Sequence, residues 1–541
     1  MKMEPFMPEI CLFALNSSYS HTNLAVRCIR ERLTSAGFAA GVLEFSLKDR
    51  HRRVLKALVD ADAEIYGFSA YIWNIRELYS LAADLKRLLP AAQIVFGGPE
   101  VSFDAAEILA AHPFIDGIVT GEGEEAWVRI AGARASGEVL PPVIDGGEYA
   151  DFAAQPMVYE EADAGCRMVY YESARGCPYR CAYCLSAMSG KVRAKSAEKT
   201  LFDLLDFERM SGIRVVKFVD RTFNFDGERA RAIWRGLLSE RYTKTYHFEI
   251  CGDLLAEEDF ALLSQFPAGK IQLEIGVQST NPDTLRRVRR NPDTARLLEN
   301  IARLYAMGNM HIHADLIAGL PGEDFASFAH SFDALWGKCH MLQLGFLKLL
   351  RGSVLRREAD AFGCVYSTEP PYEVLATDCL SFAELSRLHE VDELLDRCVN
   401  SGVMARSFCL LTARHASPFA MLLRLADGMR AAELRVDAMA QGRLYPAVYD
   451  ILHDGEDAPL AEALMLDFLT HQTVSPPVIG GMALRRVEHE AKRRFMTFAD
   501  AAGIAHFAPA LEVREGFGQR YVIDRRSMRA FRETADGFDE V

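Results

Sequence analysis

The stretch of sequence that decides the fold reads Arg175-Gly176-Cys177-Pro178-Tyr179-Arg180-Cys181-Ala182-Tyr183-Cys184. Its three cysteines have the spacing C-x3-C-x2-C and directly follow a strand-like segment, residues 168–173. A structural zinc site usually has four ligands in two pairs, and an electron-transfer cluster usually has four cysteines. Three thiolates on one loop therefore predict a [4Fe–4S] cluster with one iron left open for another ligand. A zinc site completed from a distance and three unconnected cysteines remain as alternatives.

Strand-like and helical segments alternate on both sides of this loop. The predicted strands are residues 168–173, 215–219, 247–250, 271–277, 311–317 and 342–347, with helical periodicity between them. Such alternation is typical of parallel sheets with helical crossovers. Six repeats predict a partial (β/α)6 barrel rather than a complete eight-fold one.

The cysteine loop resembles the signature of the radical S-adenosylmethionine (SAM) superfamily, and the later strands resemble those of the same family. The resemblance implies that Cys177, Cys181 and Cys184 ligate the cluster and that SAM chelates the open iron. It also implies a reductant such as flavodoxin or ferredoxin. The reduced cluster would cleave SAM to methionine and a 5′-deoxyadenosyl radical, which abstracts a hydrogen atom from the substrate.

The same resemblance implies positions that contact SAM. Tyr183 would contact adenine, Asp220 the methionine end, and the strand segment with Glu274, Gln278 and Ser279 the ribose. Arg290 and Gly319 complete the predicted SAM site. The alternatives are a core aromatic for Tyr183, an Asp that caps a turn for Asp220, and a solvated helix face for the arginines around Arg290.

Three polar residues share one face of the fifth predicted strand, since side chains alternate along a strand. They are His311, His313 and Asp315. Two histidines and a carboxylate are a possible metal-ligand set. Polar groups for substrate, or a proton-transfer role for either histidine, are the competing interpretations.

The N-terminal part alternates strands and helices in five units, which predicts a flavodoxin-like (Rossmann-like) parallel sheet. Ligands on such sheets lie outside the carboxyl ends of the strands. Two loops there contain Gly97, Gly98, Gly121 and Gly123. A domain of this kind ahead of a radical SAM barrel resembles the cobalamin-dependent branch of the superfamily, and the small residues would leave room for a corrin. The D-x-H-x-x-G loop of other cobalamin proteins is absent, so a domain that only packs on the barrel or binds substrate is the alternative.

These signals predict four segments in an α/β protein. They are a cobalamin-binding-like Rossmann domain over 1–136, a linker over 137–166, a radical SAM partial TIM barrel over 167–365, and a mainly helical C-terminal domain over 366–541. A hairpin is predicted within 511–523. The C-terminal segment resembles an extra, poorly characterised helical domain found on some radical SAM proteins.

Composition excludes some classes of protein. The chain has 541 residues, of which 50% are hydrophobic and 25% charged, with a formal net charge of −14. No apolar run of transmembrane length and no signal peptide is recognisable, so a cytoplasmic protein without membrane contact is predicted. The acidic balance disfavours nucleic acid, but the Arg-rich C-terminal stretch with Arg485-Arg486 and Arg525-Arg526 keeps that partner open.

Together the motifs predict a cobalamin-dependent radical SAM methyltransferase that methylates an unreactive carbon. The first alternative is a radical SAM enzyme without cobalamin that catalyses a rearrangement or another bond change. The second is a non-catalytic cobalamin or SAM sensor. The sequence does not identify the substrate, and a peptide, a lipid-like metabolite or a natural-product precursor all fit.

Overall fold

A computed structural model describes residues 9–160, 163, 165–188, 191–472, 477–487, 490–506, 510–535 and 537–541. The chain divides into two compact units. The first contains the chain up to Asp324 with Gly337–His340 and Gly345–Ser381, and the second contains Phe325–Trp336, Met341–Leu344 and the chain from Phe382 onward. Across the described residues, no helix is both long enough and apolar enough to cross a membrane.

The first sheet is parallel and has the strand order β2-β1-β3-β4-β5-β6. Its strands are β1 (Ile10–Asn16), β2 (Ala40–Ser46), β3 (Ile65–Ser69), β4 (Gln93–Gly97), β5 (Gly117–Thr120) and β6 (Val143–Asp145). The helices between them are α1 (Leu24–Ser35), α2 (His51–Asp60), α3 (Ile75–Leu88), α4 (Ala105–Ala111) and α5 (Gly123–Ser136). This order is the flavodoxin-like arrangement that the sequence predicts, with β6 added from the segment predicted as a linker.

The first sheet is covered on both faces, as parallel sheets require. Every residue of β1 is buried. Phe13, Phe68 and Phe96 pack on one face, while Leu12 and Trp127 belong to the core on the other. The start of α1 is capped by a side chain: the Asn23 side chain accepts a hydrogen bond from the Val26 N–H at 3.2 Å.

The second sheet has the order β14-β13-β12-β11-β10-β7. Its strands are β7 (Met168–Tyr171), β10 (Val215–Phe218), β11 (Thr245–Ile250), β12 (Ile271–Gln278), β13 (His311–Ala318) and β14 (Met341–Phe346). The helices of this region are α6 (Ala197–Arg209), α7 (Gly227–Leu237), α8 (Glu257–Leu263), α9 (Pro282–Arg287), α10 (Thr294–Met307), α11 (Phe325–Leu335) and α12 (Val354–Arg357). Six strands in an open order match the predicted partial barrel.

Burial alternates strictly along two neighbouring inner strands of this sheet, β12 and β13. In β12 every second residue is buried, and the residues between them, including Glu274, Gly276 and Gln278, are half-buried. The buried residues are apolar, and strand geometry turns them to the opposite face from the half-buried ones. The second set is mostly polar, so it forms one predominantly polar face of the sheet.

A short antiparallel pair lies at the base of the cysteine loop. It consists of β8 (Ala174–Arg175) and β9 (Arg193–Ala194), and Arg175 pairs with Arg193. All three motif cysteines lie in the chain between these two strands. The pair therefore closes the cysteine loop at its base.

The C-terminal region is mainly helical, as predicted, and contains more strand than predicted. Its helices are α13 (Phe382–Leu394), α14 (Ala405–Arg414), α15 (Pro418–Ala431), α16 (Gln441–Leu452), α17 (Ala458–His471) and α18 (Ala491–Ala501), with a π-helix at Leu395–Asn400. Before them, β15 (Val365–Tyr366) and β16 (Val374–Ala376) pair antiparallel. The predicted hairpin is the centre of an antiparallel sheet of β17 (Arg485–Arg486), β18 (Leu511–Gly516), β19 (Gln519–Asp524), β20 (Arg529–Glu533) and β21 (Phe538–Glu540).

Candidate active site at the cysteine loop

The three motif cysteines lie on the loop that follows β8. Cys181 is buried, and Cys177 and Cys184 are half-buried. The Cys177 sulfur lies 3.6 Å from the Thr222 hydroxyl. Burial raises the pKa of the Cys177 thiol, and the neighbouring Cys184 and Cys181 raise it further, against hydrogen bonds from Tyr179 and Thr222. Ionisation of the Cys177 thiol is therefore favoured by added positive charge nearby.

This donor set suits an iron–sulfur cluster better than a single ion. Among the described residues, no three His, Cys, Asp or Glu side chains stand where they could together hold one metal ion. A four-iron cluster binds each thiolate at a different iron, so its ligands need not converge on one point. The iron charges would also hold the three thiols in their ionised form. The residues present therefore fit the predicted [4Fe–4S] group.

Asp220 holds the chain just before the cysteine loop. Its carboxylate accepts hydrogen bonds from the N–H groups of Ser173 at 2.7 Å and Ala174 at 2.9 Å, and from the Ser173 hydroxyl. Burial raises the pKa of Asp220 to about 6, although these bonds and Arg229 oppose the shift. These contacts match the alternative in which Asp220 fixes a turn, and its predicted contact with SAM stays a prediction.

Tyr183 and Arg290 lie beside Cys181. The Nη1 atom of Arg290 lies 3.9 Å from the Cys181 sulfur, and the Nη2 atom of Arg290 donates a hydrogen bond to the Gly276 carbonyl. Burial raises the pKa of the Tyr183 hydroxyl, and the positive charge of Arg290 opposes that shift. Arg290 therefore points inward to the cysteine loop, and the solvated-face interpretation does not describe it.

The end of β12 carries a backbone irregularity at a predicted SAM position. The register with β13 shifts between Gly276 and Gln278, and Gln278 has φ +71°. A Cβ on Gly276 would lie 2.2 Å from the Gln278 amide nitrogen. The Gln278 Oε1 is buried, and among the described residues it has no hydrogen-bond partner. An orphaned acceptor next to the cysteine loop fits a bound ligand that donates hydrogen bonds.

The other predicted residues of this region have protein partners. The buried Ser279 hydroxyl donates to the Glu323 carboxylate at 2.5 Å and accepts from the Asn281 N–H at 2.9 Å. Gly319 follows β13 directly with φ +87°, a conformation that favours glycine. The structure thus assigns Ser279 and Gly319 to the turns that end the strands, and their contact with SAM stays a prediction.

Glu274 belongs to a three-residue network on the polar face. It accepts a hydrogen bond from the Lys217 ammonium at 3.0 Å and pairs with His247 Nε2 at 2.9 Å. Burial alone would raise its pKa, but His247 and Lys217 outweigh that effect and lower it to about 2. Glu274 is therefore ionised at physiological pH. Its partners Lys217 and His247 lie on other strands, so the sequence around Glu274 did not predict them.

Asp315 lies in the same polar face. Its Oδ1 is 3.4 Å from His313 Nε2. Burial raises the pKa of Asp315 to about 8, with further contributions from Glu274 and Glu249. His311, the third residue of the predicted set, stacks on His340 with ring centroids 5.2 Å apart. The three residues are thus not arranged around one point, and Asp315 with His313 forms the pair suited to proton transfer.

The predicted cobalamin loops contain glycines with different steric requirements. Gly98 has φ +111°, and a Cβ there would lie 2.4 Å from the Ala70 carbonyl oxygen. Gly97 has only ordinary contacts, the nearest at 3.7 Å from the Val119 Cβ. Gly121 has φ +71°, and a Cβ on Gly123 would lie 2.8 Å from the Ile29 Cδ1. The backbone therefore requires glycine at Gly98 and Gly121, whereas a Cβ on Gly123 would only push aside the end of the Ile29 side chain and one on Gly97 would make ordinary contacts.

The carboxyl end of the first sheet faces the second sheet within the same unit. His21 meets Tyr170 edge-on with ring centroids 5.8 Å apart. Tyr71 stacks on Trp73 at 4.4 Å, and Trp73 is 46% exposed. An exposed apolar ring surface at this end of the sheet fits a large, flat ligand such as a corrin.

The loops that carry the glycines also bind two arginines outside the first sheet, Arg175 of β8 and Arg351 after β14, and the sequence did not predict these contacts. Glu100 accepts from Arg351 at 3.3 Å and from the Tyr372 hydroxyl. Glu122 and Glu124 bind Arg175 at 2.8 Å and 2.9 Å. The acidic residues Glu100, Glu122 and Glu124 beside the glycines were visible in the sequence. Their arginine partners are distant in the chain and become neighbours only through the fold.

Most of the basic residues near the C-terminus are paired. Arg494 binds Glu533, Arg493 binds Glu490, and Arg525 binds Glu512 at 2.9 Å. Arg486 is 3.7 Å from Glu512. Carboxylates thus neutralise much of the positive charge in this stretch. Nucleic acid binding needs an unbalanced basic surface, so these ion pairs weaken the case for a nucleic acid partner.

Three family models match successive parts of the chain. The B12 binding domain matches residues 10–131, the Radical SAM superfamily residues 171–335, and a family described as a protein of unknown function (DUF4080) residues 360–503. The third match covers the region that resembles a poorly characterised extra domain.

Curated relatives share part of this arrangement. The chain is 26% identical over 318 residues to 2-(S-pantetheinyl)-carbapenam-3-carboxylate methyltransferase of Streptantibioticus cattleyicolor, covering 51% of this chain and 45% of that one. It is 25% identical over 320 residues to the cobalamin-dependent radical SAM methyltransferase TokK of Streptomyces tokunonensis, with the same coverages of 51% and 45%. The chain thus spans about half the length of these curated relatives.

Solved structures show the same fold. OxsB, a cobalamin-dependent SAM radical enzyme solved with aqua-cobalamin, superposes with a TM-score of 0.59 at 14% identity, over 86% of this chain and 84% of that one. The methyltransferase TsrM of Kitasatospora setae, solved with cobalamin and a [4Fe–4S] cluster, superposes with a TM-score of 0.55 at 16% identity, over 68% and 82%. At these identities the likeness concerns the fold alone.

The cysteine loop, the two parallel sheets and these matches define the chain as a radical SAM superfamily protein. Its particular branch is the cobalamin-dependent one, because a B12 binding domain precedes the radical SAM domain. The cofactors of these two domains are a [4Fe–4S] cluster with SAM and cobalamin. The sequence-based prediction of the class, the fold and the cofactors is confirmed.

Proposed function

We propose that the chain is an enzyme that transfers a methyl group to an unreactive carbon in a cobalamin-dependent radical SAM reaction. The observation that carries the proposal is the contact of the cobalamin-domain loop with the cysteine loop through Glu122 and Arg175. This contact brings the predicted positions of two cofactors together in one unit. The relatives that are named methyltransferases support methyl transfer as the reaction type.

In this proposal Cys177, Cys181 and Cys184 hold the cluster. Tyr183, Arg290 and the orphaned Gln278 Oε1 bind SAM, together with Asp220, Glu274, Ser279 and Gly319 of the predicted set. Gly97, Gly98, Gly121 and Gly123 border the cobalamin. When bound, the cluster supplies the electron that cleaves SAM, and cobalamin supplies the metal that carries the methyl group.

The chain's own residues orient the substrate and manage protons. Lys217, His247 and Glu274 form a fixed polar network on the inner face of the sheet. Asp315 holds a proton near neutral pH and lies 3.4 Å from His313. The pair can therefore give or accept a proton at His313 Nε2 or Asp315 Oδ1 as the substrate carbon changes its bonding.

The remaining parts of the proposal rest on the sequence. We place the cobalamin domain at 1–136, the linker at 137–166, the barrel at 167–365 and the C-terminal domain at 366–541. We further propose flavodoxin or ferredoxin as the electron donor, a cytoplasmic location, and a small molecule or peptide as the substrate. The paired C-terminal arginines support a substrate other than nucleic acid.

The proposal is tested with the full chain, purified without oxygen and reconstituted with iron, sulfide and hydroxocobalamin. SAM and dithionite are added, and the products are measured by mass spectrometry. Formation of both 5′-deoxyadenosine and S-adenosylhomocysteine, with cobalamin retained on gel filtration, supports it. Deoxyadenosine alone, without bound cobalamin, supports a radical SAM enzyme of another reaction type. Absence of both products, with SAM bound, supports a sensor.

A further inference from the structure

One carboxylate binds both ends of the cysteine loop. Glu122 Oε2 accepts hydrogen bonds from Arg175 Nη1 at 2.8 Å and from Arg193 Nη1 at 3.2 Å, and Oε1 binds Arg193 Nη2. Arg175 and Arg193 face each other in the β8–β9 pair. We call Glu122, Arg175 and Arg193 the Glu122 clamp.

The clamp is screened from solvent and confined by its surroundings. The side chains of Glu122, Arg175 and Arg193 are 19%, 16% and 20% exposed. The ring of the fully buried Phe152 lies 4.7 Å from the Arg175 guanidinium and 6.0 Å from that of Arg193. Charges held this way add little net stability, because their desolvation offsets their attraction. Their geometry, in contrast, is strongly fixed.

Arg175 forms ion pairs with carboxylates other than Glu122. Arg175 also binds Glu124 at 2.9 Å and Glu172 at 2.8 Å. Arg193 has Glu122 as its carboxylate partner and donates besides to the Tyr149 carbonyl at 2.9 Å. Loss of Glu122 would therefore release the Arg193 end of the loop while Arg175 keeps two partners.

Glu122 itself lies in a ligand loop. It follows β5 at the carboxyl end of the first sheet, between Gly121 and Gly123, and immediately precedes α5. Its carboxylate also accepts the Tyr149 N–H at 2.7 Å. Ligands of such sheets bind against these loops. Glu122 thus connects this loop to both ends of the cysteine loop, whereas Glu124 connects it to Arg175.

We propose that Glu122 is a positioning residue that couples cobalamin binding to the arrangement of the cysteine loop. This inference rests on the proposed function, since it requires that cobalamin binds at the glycine loops. Cobalamin orders the backbone of residues 121–123, and the clamp then holds Arg175 and Arg193 in the geometry that suits the cluster. Coupling of this kind is reciprocal, so the cluster must strengthen cobalamin binding by the same factor.

The test measures this factor and not the activity. The dissociation constant of hydroxocobalamin is measured by fluorescence quenching, without oxygen, for the full chain with and without the reconstituted cluster. In the wild type, the cluster is expected to tighten binding at least about fivefold, the lower end of typical couplings. In Glu122→Gln, which keeps the size but loses the charge, the ratio is expected to fall to within about twofold of unity.

Two further variants separate positioning from general stability. Glu125→Gln removes a carboxylate in the first turn of α5 that binds Arg32 at 2.7 Å within the cobalamin domain, and it should keep the wild-type ratio. Arg193→Gln removes one end of the clamp and should give a ratio between those of the wild type and Glu122→Gln. This variant also tests the inference if Glu122→Gln does not fold. A merely structural role would weaken binding equally with and without the cluster, so the ratio would not change.

The outcomes that overturn the inference are distinct. A wild-type ratio of one, with cobalamin bound, overturns the coupling and leaves the proposed function intact. A ratio in folded Glu122→Gln or Arg193→Gln equal to that of the wild type also overturns it. Failure of the wild type to bind hydroxocobalamin overturns both the coupling and the cobalamin part of the proposed function.

Discussion

The Asp220 carboxylate binds both the backbone N–H and the hydroxyl of Ser173, four positions before the first motif cysteine. Ser173 is fully buried and lies between β7 and the β8–β9 pair. The same carboxylate also accepts the Ala174 N–H. The second strand of the barrel thus fixes the point where the chain leaves the first strand for the cysteine loop.

Replacement of Asp220 by Asn should weaken the attachment of Ser173 to the second strand of the barrel. The Asn side chain keeps one oxygen, which can still accept the Ser173 and Ala174 N–H groups, but it turns an NH2 group towards the Ser173 hydroxyl. That hydroxyl loses its acceptor, at a cost of about 1–3 kcal/mol. Urea unfolding of the chain should show this loss, and the iron bound after reconstitution should fall with it. Unchanged stability and full iron content would show that Asp220 does not hold the loop.

Replacement of Cys177, Cys181 or Cys184 by Ala should abolish cluster binding in each case. Each thiolate would bind a different iron, so the loss of any one leaves a cluster with two protein ligands. The measurement is iron per chain and the visible absorbance after anaerobic reconstitution. Cys379→Ala and Cys409→Ala, at two exposed cysteines, serve as controls that should keep the wild-type iron content. A single motif variant with full iron content would contradict the assignment.

Adjacent glycines of the β4 loop should respond differently to Ala. Gly98→Ala places a Cβ 2.4 Å from the Ala70 carbonyl oxygen, on a residue whose φ is positive. The free energy of unfolding should therefore fall by about 1–3 kcal/mol. Gly97→Ala has room and should fold normally. If this loop borders the corrin, Gly97→Ala should still weaken hydroxocobalamin binding, measured by fluorescence quenching. Wild-type affinity in a folded Gly97→Ala would move the cobalamin site away from this loop.

Asp315 should make stability depend on pH between about 4 and 8. Its pKa is raised by burial from 3.8 to about 8, so the folded protein holds the proton more tightly than the unfolded chain. Its stabilising contribution is complete below pH 4 and is lost as the pH rises through 8. Asp315→Asn should remove this loss and raise the free energy of unfolding at pH 9, relative to pH 5, by on the order of 2–5 kcal/mol against the wild type. Parallel stability curves for the two proteins would contradict the shift.

Asn400 should stabilise the strand segment that contains Leu342. Its side chain accepts from the Leu342 N–H at 3.2 Å and donates to the Leu342 carbonyl at 2.9 Å, as a neighbouring strand would. Asn400→Ala should cost about 1–3 kcal/mol in urea unfolding, because both backbone groups lose their partner. Ser401→Ala is the control: it removes two exposed hydrogen bonds of the hydroxyl, to the Arg397 carbonyl and from the Val403 N–H, and should cost less than about 0.5 kcal/mol. Equal effects of the two substitutions would contradict this role.

Local patterns in the sequence predicted both parallel sheets and the cysteine loop. The cysteine spacing needs only eight neighbouring residues, and the alternation of burial in β12 and β13 follows directly from their alternating polarity. The glycines of the ligand loops were also visible. These features depend on residues close together in the chain.

Contacts between distant residues could not be predicted in this way. Glu122 is 53 residues from Arg175 and 71 from Arg193, and no periodicity relates them. The strand β6 has three residues inside a segment rich in Pro and Gly, too short for a recognisable pattern. The strand β17 consists of two exposed arginines, which the sequence presents as a basic surface rather than as a sheet edge.

The pairing of β8 with β9 means that the cysteine loop leaves and re-enters the barrel at a single place. The free energy of closing a loop rises only slowly with its length. Additional residues between Cys184 and Arg193 would therefore lengthen the loop without displacing β7 or α6. A peptide inserted in this short segment would thus leave the framework that carries the cysteines unchanged.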